Sequence, residues 1–340
     1  MPIDERKQLL IQWLKTVLGS QDFSCEPASS DASFRRYFRL IVGSQSYVVM
    51  DAPPDKEDCS PFISIAELLR QHEVNAPTIF YKSLEQGFLV LSDFGSISFL
   101  DNLNGQTVDQ HYTDAVHVLH KLHQIPLSGL AIPNYDEVLL KQEMALFDEW
   151  FISKLLGIEL TREEQSVLAS IQQKLADSAI QQPQVFVHRD YHSRNLMLTK
   201  ENNPGVIDFQ DAVVGPLTYD LVSLYRDCYI DWPDDQIYPW LDDFLQQRQQ
   251  RGCGDNFEKA VFYQWFDWMG VQRHMKAIGI FSRLLLRDGK AGYIKDIPRT
   301  LTYVMNVCER YDELKPLADI MASHQLTAKL QDRIKGLQLS

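Results

Sequence analysis

Val185-Phe-Val-His-Arg-Asp190-Tyr-His-Ser-Arg-Asn195-Leu-Met-Leu-Thr199, followed by Gly205-Val-Ile-Asp208-Phe-Gln210, decides how this 340-residue chain is read. Three apolar runs, separated by a polar loop and by a turn at Asn203-Pro204-Gly205, predict three short strands. Asp190 and Asn195 share the first loop, and Asp208 stands at the end of the third run. A hairpin there folds Asp208 back beside Asn195, so two carboxylates and an amide are expected to converge. Phosphoryl transfer uses such a set. One carboxylate orients the acceptor hydroxyl and receives its proton, while the amide and the second carboxylate hold Mg²⁺ against the phosphates. The order His188-Arg189-Asp190, four residues, Asn195, then Asp208-Phe209 is the kinase catalytic signature.

Outward from this segment the character of the chain changes. Residues 1–92 read as a small α+β lobe. It has an amphipathic helix over 2–18 ending at Gly19, strands at 37–42 and 47–50, a helix over about 61–72, and strands at 78–81 and 88–91. Residues 93–340 read as mainly helical, with the β island at 185–215 embedded in it. Helices are expected at 107–124, 137–156, 161–178, 218–229, 236–250, 256–287, 298–313 and 316–333. Thr161 and Glu164 form a capping-box pattern. The fold class is therefore α+β, with two lobes and a nucleotide site expected between them.

Bulk properties bound the rest. The net charge of -13 argues against nucleic acid as a partner, because phosphate backbones reward clustered Lys and Arg. No apolar stretch approaches the length of a membrane span, and the N-terminus lacks a signal-type apolar core. Five scattered cysteines without a CxxC pair suit a reduced compartment, so a cytoplasmic protein is expected.

The segment VHRDYHSRNLML…GVIDFQDAVVGPLTYDLVSL (187–224) resembles the aminoglycoside phosphotransferase/choline kinase-like family, whose members use a protein-kinase-like fold on small substrates. The resemblance implies Asp190 as catalytic base, with Arg194 beside it in the loop. It further implies Asn195 and Asp208 as ligands of Mg²⁺, ATP as co-substrate, and His188 and Asp220 as supports of the catalytic loop. Ser33, Phe34, Arg35, Met50, Glu67, Leu91, Ser92 and Asp93 are the expected nucleotide contacts. Glu143, Glu149 and Asp227 are the expected substrate contacts. The segments SDASFRRYFRL (30–40), VVMDAPPDKEDCSPF (48–62), QEMALFDEWF (142–151) and QRHMKAIGIFSRLLLRDGK (272–290) resemble the amino-sugar kinases of peptidoglycan recycling. That likeness implies phosphorylation of the C1 hydroxyl of N-acetylmuramate and N-acetylglucosamine.

One departure stands out. The strand expected to carry a phosphate-binding lysine reads Tyr47-Val-Val-Met50-Asp51 and has none, which leaves Arg35, Arg36, Arg39 or the backbone of the 29–33 loop to meet the phosphates. Three alternatives stay open at this point. They are a kinase for an aminoglycoside, choline or amino alcohol, a nucleotide-binding regulator without catalysis, and a metallohydrolase built on His188, Asp190 and His192.

Overall fold

The computed structural model describes residues 4–30, 34–254 and 256–338. In chain order the first elements are α1 (Glu5–Leu18), β1 (Ser24–Ser30), β2 (Arg36–Val42), β3 (Gln45–Asp51), α2 (Ser60–Gln71), β4 (Ile79–Ser83) and β5 (Phe88–Ser92). The short α3 (Phe99–Asn102) and α4 (Val108–His123) follow, then α5 (Glu137–Leu146), a π-helical segment (Phe147–Leu155) and α6 (Arg162–Gln181). The β island comprises β6 (Gln184–Val187), β7 (Leu196–Met197), β8 (Gly205–Val206) and β9 (Val213–Pro216). Helices complete the chain: α7 (Tyr219–Tyr225), α8 (Asp234–Gln250), α9 (Lys259–Asp288), α10 (Ile297–Arg310), α11 (Lys315–Ser323) and α12 (Leu326–Gln338).

The chain divides into two compact units, one of residues 1–121 with 194–211, the other of 122–193 with 212–340. The first unit holds an antiparallel sheet of order β1-β2-β3-β5-β4. Alternation along the strands turns Phe38 and Leu40 of β2, Val49 of β3, and Phe88 and Val90 of β5 onto one face, where they meet Leu10 and Leu14 of α1. Asp4 caps α1 by accepting from the Lys7 amide at 3.0 Å, and Gly19 ends it in the left-handed region. Strand β1 escaped the sequence reading because Ser-Cys-Glu-Pro-Ala-Ser-Ser has little β propensity and contains Pro27. It is an edge strand, where proline is tolerated, and its pairing with β2 shifts register between Pro27 and Ser29.

The second unit is built around α9, which packs against α5, the π-helical segment, α6, α7 and α10. Its buried residues include Phe262, Phe266, Met269, Met275 and Ile278. The capping box at α6 is present in full, with Thr161 accepting from the Glu164 amide and Glu164 from the Thr161 amide. Two helices differ from the sequence expectation. The 137–156 helix widens to a π-helix at Phe147, and the 316–333 helix breaks at Gln325, whose φ of 52° lies in the left-handed region. Among the described residues no helix is long and apolar enough to cross a membrane.

Candidate active site

The first unit contributes the hairpin of β7 and β8, in which Leu196 pairs with Val206 and Met197 with Gly205. This short ladder carries Asn195 and Asp208 past its open end on the same side. Asn195 Nδ2 donates to Asp208 Oδ2 at 3.2 Å, and Gln210 Nε2 donates to Asp208 Oδ1 at 2.8 Å. Several contacts anchor the hairpin. The Val206 amide donates to the Asn75 carbonyl at 2.8 Å, and the Leu198 amide to the Ile97 carbonyl at 2.8 Å. A Cβ on Gly205 would lie 2.7 Å from the Phe94 ring, so that ring can sit against the hairpin only over glycine. Asp208 has a φ of 65°, which a carboxylate residue adopts at a cost when its surroundings hold it. Phe209 supplies part of that hold: its ring stacks on Phe62 of α2 at 5.0 Å.

The expected nucleotide residues of this unit divide by environment. Met50 and Leu91 are buried, and the Ser92 hydroxyl accepts from the Thr78 amide at 2.9 Å. Asp93 is paired with Arg39 at 2.8 Å, and Arg36 with the buried Asp51 at 2.6 Å. Arg35 pairs with Glu57 at 3.0 Å, and the other Glu57 oxygen accepts from the Phe34 amide at 3.3 Å. The Phe34 side chain is exposed, as is Glu67 on α2. Burial disfavours the Arg35 charge, but Tyr37, Glu57, Asp208 and Asp211 outweigh it and hold the guanidinium charged. Ser33 lies outside the described residues.

The second unit contributes Asp190. Strands β6 and β9 pair antiparallel from Gln184–Pro216 to Val187–Val213, which delivers His188 and Arg189 to the end of an ordered ladder. Asp220, fully buried near the start of α7, accepts from the His188 amide at 2.7 Å and the Arg189 amide at 3.1 Å. These bonds fix Arg189 at a φ of 74°, immediately before Asp190. Burial pushes the Asp220 carboxyl up to about 7, against the two N–H donors that favour its ionised form. For Asp190 the balance goes the other way. Burial opposes its charge, but Lys276, His192, Arg273 and His188 together hold its carboxyl below the ordinary range.

The remaining sequence candidates are dispersed. Glu143 of α5 is buried among Tyr135, Arg189 and Lys276. Glu149 is exposed and pairs with Lys154 at 2.6 Å. Asp227 is fully buried. One of its oxygens accepts from the Ser193 amide at 2.9 Å and the other from the Tyr229 amide at 3.0 Å, so it ties the end of the loop that carries Asp190 to the segment after α7. Sequence reading missed Lys276, Tyr135, Tyr219 and Gln272, because only the crossing of α9 over α5 assembles them. No motif spacing announces it. Among the described residues no group of three or more His, Cys, Asp or Glu side chains is disposed to hold a metal ion, so His188, Asp190 and His192 lack the geometry of a metallohydrolase centre.

Comparison with known proteins gives the family and the fold. Residues 24–259 match the family model described as the phosphotransferase enzyme family. A Pseudomonas putida protein named N-acetylmuramate/N-acetylglucosamine kinase is 44% identical over 306 residues, covering 90% of each chain. Proteins of the same name from Pseudomonas aeruginosa and Neisseria meningitidis are 45% and 41% identical. They cover 87% and 92% of this chain, and 87% and 94% of their own. Among solved structures, choline kinase LicA from Streptococcus pneumoniae superposes with a TM-score of 0.62 at 10% identity, over 89% of this chain and 100% of that one. An ethanolamine kinase of Plasmodium vivax gives 0.64 at 12% identity, over 88% and 87%. At that identity the likeness is one of fold, and the fold is kinase-like.

Proposed function

This chain belongs to the phosphotransferase enzyme family, and we propose that it transfers the γ-phosphoryl group of ATP to the anomeric C1 hydroxyl of N-acetylmuramate and N-acetylglucosamine. The product would be the sugar 1-phosphate, formed in cell-wall recycling. The observation that carries the acceptor is the 41–45% identity, over about nine-tenths of the chain, to proteins named for those two sugars. The contact between Asn195 and Asp208 supports the reaction class.

In this reading the Asp190 carboxylate orients the acceptor hydroxyl and takes its proton as the oxygen attacks phosphorus. Its ionised state suits that task, since a carboxyl that already holds a proton cannot take the hydroxyl's. Asn195 and Asp208 offer hard oxygen donors on one hairpin. That fits Mg²⁺, which binds through one or two protein oxygens and takes its other ligands from phosphate and water. When bound, the ion neutralises phosphate charge as the bond to the leaving group breaks. Arg35 is the residue we assign to the phosphates in place of the absent strand lysine. Glu57 holds it on the unit that carries Asp208, and its charge lies in the field of Asp208 and Asp211. The first unit is read as the nucleotide-binding part, the second as the part that binds the acceptor.

A coupled ADP-release assay with N-acetylmuramate, N-acetylglucosamine, choline and kanamycin tests the proposal. Turnover is expected with the two amino sugars. Turnover confined to choline or kanamycin would replace the acceptor, and ATP binding without turnover on any of them would favour a regulator.

A further inference from the structure

Behind the catalytic loop lies a buried ionic cluster that the reaction as described does not use. Glu143 of α5 accepts from the Tyr135 hydroxyl, from Arg189 Nη2, and from Lys276 Nζ of α9 at 3.1 Å. Lys276 also donates to the Tyr219 hydroxyl at 3.0 Å, and Gln272 Nε2 donates to the Tyr135 hydroxyl at 2.9 Å. The two tyrosine rings meet edge to face at 5.3 Å. The close crossing of α9 over α5 sets the reach. A Cβ on Gly279, one turn beyond Lys276, would fall 2.4 Å from the backbone of Leu146, one turn beyond Glu143. Arg189 is thus pinned twice, by its amide on Asp220 and by its guanidinium on Glu143.

We propose that Lys276 is a positioning residue for phosphoryl transfer, which with Glu143 clamps Arg189 and so fixes the direction of the Asp190 carboxylate. The inference rests on Asp190 being the base. Two other uses of the cluster fit the observations less well. Glu143 engages both cations, which weakens the cluster as a cradle for an anionic group of the substrate. As a stability device it is poor, because a buried ion pair is often no better than apolar side chains of the same volume. What it supplies is rigidity at a left-handed residue, together with one positive charge in excess beside Asp190. Lys276 is the strongest of the cationic influences that keep Asp190 ionised.

The test compares Lys276→Met, Lys276→Arg, Glu143→Gln and the double variant Lys276→Met/Glu143→Gln in the full chain, with ATP and N-acetylglucosamine. A misplaced base costs on the order of 100-fold, so Lys276→Met and Glu143→Gln should each lower kcat by about that factor. KM for ATP and sugar should stay within about threefold of wild type, the split expected when only the chemical step is lost. Lys276→Arg should recover at least about tenfold of the kcat lost by Lys276→Met, since it restores a cation to Glu143. The double variant still leaves the Arg189 guanidinium without its carboxylate partner, so it should regain neither kcat nor the full Tm. Recovery of kcat in the double variant would overturn the proposal by making the pair purely structural. Wild-type kcat in Lys276→Met, or a change confined to the sugar KM, would overturn it as well. If Lys276→Met does not fold, Lys276→Gln carries the same comparison. Failure of the underlying reading shows separately, as wild-type turnover in Asp190→Asn.

Discussion

Asn195 Nδ2 donates to Asp208 Oδ2 at 3.2 Å, joining two residues thirteen positions apart through the hairpin between them. Strands of two residues each are enough for this, because Asn75, Ile97 and Phe94 hold the hairpin from outside. An amide and a carboxylate so placed can share one hard cation. Asp208→Ala should therefore abolish the Mg²⁺ dependence of nucleotide binding. Titration calorimetry with ATP, with and without Mg²⁺, is expected to show affinity at least about tenfold below wild type when Mg²⁺ is present. Unchanged MgATP affinity would remove Asp208 from the metal site.

Asp190 should separate from Asp208 in its effect. Asp190→Asn keeps the shape of the side chain but cannot take a proton, so kcat should fall by about 10²–10⁴-fold. MgATP affinity should be close to wild type. Steady-state kinetics alongside calorimetry checks both halves of the expectation.

Arg35 should matter most to ligands that carry a polyphosphate. Losing a charge-assisted contact costs about 1.5–3 kcal/mol, or roughly 10–100-fold in Kd. Arg35→Ala should weaken ATP by that factor and AMP by less, since AMP lacks the β-phosphate that the absent strand lysine would share with the α-phosphate. Equal losses for both nucleotides would point to a damaged sheet rather than a missing phosphate contact.

Asp148, in the π-helical segment, should make stability fall with rising pH. Gln172 donates to one of its oxygens at 2.8 Å, the other is buried without a hydrogen-bond donor, and burial pushes the carboxyl up to about 6. The unfolded chain ionises this group near pH 3.9, so the folded state holds the proton more tightly. Stability from this group is present below about pH 4 and is lost as pH rises to about 6. Asp148→Asn should raise Tm by about 2–4 °C at pH 8 and by about a third as much at pH 4.5. A Tm gain of the same size at both pH values would contradict the assignment.

The meeting of Asn195 and Asp208 was legible because the signals for it are local. Asp190 and Asn195 share one loop, and Asp208 ends an apolar strand that a marked turn folds back. Helix ends with chemical markers were legible for the same reason, as at Thr161 and Glu164. Strand β1 was hidden by Pro27 and a run of serines, since an edge strand needs neither apolar alternation nor every amide. The π-helical turn at Phe147 continues the apolar stripe of α5, so periodicity does not betray it. The Glu143–Lys276 pairing was out of reach altogether: its partners are separated by more than a hundred residues, and only the close passage at Gly279 brings them together.

In the proposed reaction a sugar's anomeric hydroxyl receives the phosphoryl group. The most direct test is to incubate the full chain with MgATP and N-acetylglucosamine and to examine the phosphorylated sugar. Phosphorylation at C1 blocks the reducing end, so one ADP should be released per reducing end lost, and the product should regain reducing power on mild acid hydrolysis. A phosphorylated product that still reduces would place the phosphate on another hydroxyl and rule out transfer to C1.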